Sequence, residues 1–93
     1  MDKGEARMIA ERDLKVYRDM TYENIRSEIG SAESFERVSE LGEPYQIEFE
    51  FFYDNHREGN IRVTAAVSYS GWTEFFPVSN DFIIAPNGEY IGE

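Results

Sequence analysis

The sequence predicts an α+β domain in which N-terminal helical segments pack on an antiparallel β-meander of three to five strands. Three observations carry this. Apolar residues recur at helical spacing before Gly42 and alternate strictly after Pro44. Eleven of the fourteen aromatic residues fall between Tyr45 and Tyr90, and aromatic side chains favour strands. Ninety-three residues with 41% hydrophobic content supply one core but not two, so a single domain over 1–93 is expected, helical over 1–42 and sheet over 43–93.

Asp2 and Glu5 have the spacing of a capping box, and Ala6, Ile9, Ala10, Val16, Tyr17 and Met20 follow as a ragged helical stripe. Glu11 and Lys15, acid first at i,i+4, add support to a helix over about 3–20. Thr21 is placed to cap a second segment, with Glu23 in its first turn, Met20 and Ile25 at staple spacing and Gly30 as C-cap; a second helix and a bend in one long helix both fit. Ala32, Phe35, Val38 and Leu41 recur every three residues ahead of Gly42 and Pro44, with Glu33 and Arg37 at i,i+4, which predicts a short third helix.

From Tyr45 the period becomes two. Tyr45, Ile47, Phe49, Phe51 and Tyr53 alternate with Gln46, Glu48, Glu50, Phe52 and Asp54, and after a polar loop over 55–60 Ile61, Val63, Ala65, Val67 and Tyr69 alternate with Arg62, Thr64, Ala66 and Ser68. Ser70-Gly71 then reads as a turn, and 72–78 as a strand in which Pro77 removes one ladder donor. Residues 82–85 and 90–91 flank Pro86-Asn87-Gly88, a strong hairpin signal. If one face of the first strand packs under the helix, Phe52, Ala66 and one of Phe75 and Phe76 point to the other, giving it an apolar component.

The formal charge of −10 is uneven: 1–42 carries seven basic against ten acidic residues, net −3, and 43–93 carries two against nine, net −7. Phosphate binding needs a cationic stripe, which this half lacks, so no nucleic-acid partner is expected. No apolar run approaches the length that spans a bilayer, and the charged N-terminus lacks the apolar core of a secretion signal, so no membrane partner and a cytoplasmic location are expected. Zero cysteines exclude disulfides, thiolate catalysis and cysteine-based zinc sites.

Motifs that carry chemistry are scarce. No GxGxxG, Walker lysine or GxSxG is present, so no cofactor is assigned. His56, the single histidine, lies in Asp54-Asn55-His56-Arg57-Glu58-Gly59-Asn60; imidazole titrates near neutrality, but a polar hairpin tip lacks the fixed partners that tune a catalytic base. It is read as a solvated loop residue. The same loop lacks calcium-site spacing, and Gly59 and Asn60 are expected there for their tolerance of positive φ. Glu48 and Glu50 share a strand face; paired carboxylates do acid/base work or hold a divalent cation, yet alternating Glu is also the ordinary solvent face of a half-buried sheet. No catalytic residue and no metal ligand is assigned.

A helix followed by an antiparallel meander resembles the cystatin-like arrangement, including a short version of the NTF2-like fold. The resemblance lies in the order of elements and carries no functional residues across. Two functions from different classes are compatible with the residues. The first is a small acidic, non-enzymatic domain that binds a protein partner of cationic surface, or a second copy of itself, through Phe52, Ala66, Phe75, Phe76, Glu48 and Glu50, in the manner of an inhibitor or immunity protein. The second is a small-molecule binder or enzyme with an apolar pocket between helix and curved sheet, bordered by Tyr53, Trp72 and His56.

Overall fold

The computed structural model describes residues 1–69 and 77–91. Two helices, α1 (Lys3–Arg18) and α2 (Tyr22–Arg26), precede five strands: β1 (Ala32–Val38), β2 (Pro44–Tyr53), β3 (Ile61–Ser68), β4 (Val78–Ile84) and β5 (Tyr90–Ile91). The strands form one antiparallel sheet in the order β1-β2-β3-β4-β5, and α1 packs across β3 and β4. The α+β fold with an antiparallel meander is as the sequence predicts.

α1 starts where Asp2 Oδ1 accepts the Glu5 N–H at 2.7 Å, and Glu5 in the first turn with Lys15 and Arg18 in the last complement the helix dipole. Its buried face is Ala6, Ile9, Ala10 and Leu14. The two alanines let the helix axis come close to the sheet, and Leu14 fills the space between. Val16, expected in the stripe, is 60% exposed, because two residues beyond Leu14 the helix has turned about 200°. Asp19 caps α1, and Thr21 Oγ1 then accepts the Asn24 N–H at 3.2 Å, so a second helix, not one bent helix, follows. The Tyr22 hydroxyl donates to the Gly59 carbonyl at 2.6 Å and ties α2 to the β2–β3 loop.

The predicted third helix is a strand, so the sheet begins at Ala32 and the helical part of the chain ends well short of 42. The spacing of Ala32, Phe35, Val38 and Leu41 misled: residues 32–38 pair with β2 along their whole length, and all four apolar residues are exposed. Gly42 does adopt the left-handed conformation that a helix C-cap would need, with φ 83°, but it closes a hairpin. Its N–H donates to Ser39 O at 2.9 Å, and Ser39 N–H donates to Glu43 O at 2.8 Å. The β4–β5 hairpin repeats the pattern, with Gly88 N–H to Ala85 O and Ala85 N–H to Glu89 O, both 2.8 Å, and Gly88 at φ 90°. Both are three-residue loops with a left-handed glycine in third place. A second correction concerns Val78, expected to end one strand before another began at Phe82; it opens a single strand, β4, that runs on to Ile84. The predicted strand residues 72–76 and the Ser70-Gly71 turn lie outside the described residues.

The inner sheet face is apolar as alternation requires: Ile47, Phe49 and Phe51 on β2, Ile61, Val63, Ala65 and Val67 on β3, and Val78, Phe82 and Ile84 on β4 are buried with the α1 face. Tyr17 extends this cover toward β1. Its ring lies 5.0 Å from Phe49 and 5.1 Å from Phe51, and its hydroxyl donates to Glu33 Oε2 at 3.1 Å. Burial first, and then the Glu33 carboxylate, push its phenol up to about 12.

Leu14→Ala should cost about 3 kcal/mol in urea unfolding, from lost burial and the cavity left behind, whereas Val16→Ala should change stability by less than about 0.5 kcal/mol. A raised phenol pKa holds more protons in the folded than in the unfolded chain, so stability should fall as pH rises from the ordinary tyrosine value of 10.0 toward 12. Tyr17→Phe should flatten that alkaline slope in unfolding curves taken across this range.

Candidate protein-binding face

Opposite the helices, no layer covers the sheet among the described residues, and the pairing registers fix what that face presents. Three of its rows hold the candidate residues, and a further row of Glu36, Gln46 and Ser68 lies beyond them. Phe52 stands opposite Arg62, Arg62 opposite Ile83 and Ile83 opposite Ile91. The next row is Ala32, Glu50, Thr64 and Asp81, and the one after it Ser34, Glu48, Ala66 and Ser79. The structure therefore brings four of the predicted interaction residues, Phe52, Ala66, Glu48 and Glu50, to one face. Phe75 and Phe76 lie outside the described residues.

The apolar part of the face differs from the sequence expectation. Phe52 is 41% exposed and heads a row continued by Ile83 and Ile91, while Ala66 sits two rows away between Glu48 and Ser79. Sequence reading missed both isoleucines because Phe82-Ile83-Ile84 is a continuous apolar run, in which only pairing to β3 decides which member points out. Had the period-two pattern been carried on from Val78, the even positions would have been inward and Ile83 outward.

Among the described residues Arg62 is the one cation on this face, and its charge is already committed. Its Nε donates to Asp54 Oδ1 at 2.8 Å, and Nη1 donates to Asp81 Oδ2. Hydrogen bonds to Asp54 and then Asp81 raise its pKa further above the arginine value. Glu48 and Glu50 have no ion pair among the described residues. A row of Phe52, Ile83 and Ile91, interrupted by the clamped Arg62, thus borders two carboxylates with no ion-pair partner among the described residues.

The residues considered for a pocket are distributed differently. Tyr53 lies on the inner face at the end of β2, half-buried against the core. His56 is exposed in the loop, its Nδ1 3.2 Å from the Arg57 carbonyl and its ring against Gly59, where an added Cβ would meet His56 Cε1 at 2.6 Å. Trp72 lies outside the described residues. An open hollow of about 770 Å3 lies at the opposite end of β2 from Tyr53, lined by Arg37, Val38, Tyr45 and Tyr69 among others. The loop conformation also corrects the expectation for Gly59 and Asn60: the left-handed residue is Glu58, at φ 63°, and its carboxylate reaches Arg26 at 3.5 Å. At Gly59 a side chain would instead displace the His56 ring and the Asn55 amide, both of which pack against it.

Compared with known protein families, curated proteins and solved structures, the chain matches none.

A left-handed conformation costs a side chain about 1 kcal/mol, and more when it is β-branched. Glu58→Val should therefore lower the unfolding midpoint, while Glu58→Gly should leave it unchanged or raise it. Equal losses for both would show that the Arg26 contact, not the backbone, governs this position.

Proposed function

We propose that this protein is a non-enzymatic interaction domain that binds a cationic protein surface with the outer face of its sheet. The observation that carries the reading is the outer face, uncovered among the described residues, where Phe52 on one side of the paired Arg62 and Ile83 and Ile91 on the other lie beside the carboxylates of Glu48 and Glu50. An apolar anchor supplies contact area, and flanking unpaired charge supplies specificity and a fast encounter. The net charge of −10 extends the attraction for a basic partner beyond contact and turns away nucleic acid and anionic membrane. No described helix is long and apolar enough to cross a membrane. An inhibitor or immunity-type protein that covers a basic site on its target is the concrete form this takes.

The test uses a defined probe, a Lys/Arg-rich peptide carrying leucines, titrated against the labelled protein. Amide shifts should concentrate at Glu48, Glu50, Phe52, Thr64 and Ile83. The Glu48→Gln/Glu50→Gln double variant should bind about tenfold more weakly at low ionic strength, with the difference shrinking as salt rises. Shifts confined to α1, or affinity unaffected by the double variant, would refute the assignment of this face.

A further inference from the structure

We propose that two copies of this chain join through their β1 strands, antiparallel about a two-fold axis at Phe35, into one continuous ten-stranded sheet. This inference is independent of the outer-face reading, because it uses the sheet's edge.

β1 is the outermost strand and runs for seven residues, whereas β5 at the far edge has two. Long edge strands present unpaired backbone groups and are ordinarily blunted by charged side chains, proline or a bulge; the charges of β1 are Glu33, Glu36 and Arg37, of which Glu33 and Arg37 are of opposite sign. β1 contains no lysine and no proline, and its register against β2 is unbroken from Ala32–Glu50 to Val38–Pro44. Its hydrogen-bond phase follows from the turn. Ser39 N–H donates to Glu43 O at 2.8 Å, and alternation along the ladder makes Arg37–Tyr45, Phe35–Ile47 and Glu33–Phe49 the hydrogen-bonded pairs with β2. The N–H and C=O groups of Ala32, Ser34, Glu36 and Val38 therefore point away from β2, toward the open edge.

A second β1 placed antiparallel about Phe35 uses those groups fully. Ser34 meets Glu36 of the other copy, and Ala32 meets Val38, as hydrogen-bonded pairs. Phe35 meets Phe35 and Glu33 meets Arg37 in the alternate class, where opposed Cα atoms are only about 4.5 Å apart and side chains interact most. The sequence thus puts an aromatic pair on the axis and two opposite-charge pairs beside it. Neighbouring registers do worse: centring on Glu33, Glu36 or Arg37 sets like charges directly opposite, and centring on Ser34 sets Phe35 against Glu33. Charge complementarity selects one register and one occupant, a copy of this chain.

The surroundings are prepared for it. Glu33 is held by the Tyr17 hydroxyl at 3.1 Å, and Arg37 by Asp13 Oδ2 at 3.0 Å with its guanidinium 5.1 Å from the Phe35 ring centre. Phe35 is 39% and Val38 66% exposed, and Val16 of α1 lines the hollow beside Phe35. Because α1 lies over β3 and β4, it does not stand between the two β1 strands.

Sedimentation equilibrium over a concentration series tests the pairing. The wild-type chain should dimerise, and more tightly at higher salt, since two copies at −10 repel at long range. Glu33→Arg and Arg37→Glu should each weaken the dimer about tenfold or more, and an equimolar mixture of the two should form a heterodimer, because every cross-axis pair is then of opposite sign. Ser34→Pro, which removes one outward N–H and no β2 ladder bond, should abolish the dimer while circular dichroism shows the fold retained. Glu48→Gln/Glu50→Gln, which brings each copy from −10 to about −8 and touches no β1 residue, should not weaken it. A wild-type chain that stays monomeric, a mixture that does not associate, or a dimer indifferent to these β1 variants would overturn the proposal.

Discussion

An α-helix is about 10 Å across and neighbouring strands are about 4.8 Å apart, so one helix lying along a sheet shields about two of its strands. That mismatch governs this molecule. Alternation in β2, β3 and β4 sends most large apolar side chains to one face, Phe52 and Ile83 being the exceptions, and α1 covers that face over β3 and β4. Cover for β2 comes from Tyr17, whose ring reaches Phe49 and Phe51, while α2, whose Tyr22 and Ile25 are buried, is tied to the β2–β3 loop through Gly59. Among the described residues nothing remains for β1, most of whose residues are exposed, or for the outer face. The two surfaces available for binding are what a 93-residue chain with one long helix leaves over.

Polar interactions hold the periphery of this arrangement. Tyr17–Glu33 and Asp13–Arg37 attach the edge strand to the helix, and Tyr22–Gly59 attaches α2 to the β2–β3 loop. Each joins segments far apart in sequence. The half-buried tyrosine bond has a directional cost at alkaline pH, because ionising that phenol would set its charge against Glu33. On the outer face the geometry works the other way: Arg62 between Asp54 and Asp81 offsets one of their two charges near Phe52 and Ile83, and Glu48 and Glu50 carry acidity that no described ion pair offsets.

Where the sequence was legible, a strong physical period or a cap made it so. β2 and β3 follow from alternation, α1 from Asp2 and its apolar stripe, and α2 from Thr21. The failures cluster at β1, where two structures want the same residues. A glycine with positive φ ends a helix or closes a three-residue hairpin, and a Glu–Arg pair four apart joins successive helical turns or shares one face of a strand. Only the pairing of residues 32–38 with β2 decides between them, and that is a tertiary fact. The candidate site was partly legible for a similar reason. Phe52, Glu48 and Glu50 could be placed by counting along β2, but Ile83 and Ile91 join Phe52 only through two further registers, which no local pattern contains.

The edge and the outer face meet along β1, and their electrostatics differ in kind. Glu48 and Glu50 face Ser34 and Ala32 across the β1–β2 ladder, so the acidic rows continue to the strand where Glu33 and Arg37 lie on the opposite face. Local pairing of Glu33 with Arg37 across an edge is short-range and specific in register, whereas the outer face attracts through a field that acts over a Debye length. A dimer joined at β1 would set two acidic faces side by side in one plane, doubling the charge that a basic partner encounters without covering a residue of either face. Edge pairing and face binding are therefore compatible, and the first enlarges the surface on which the second depends.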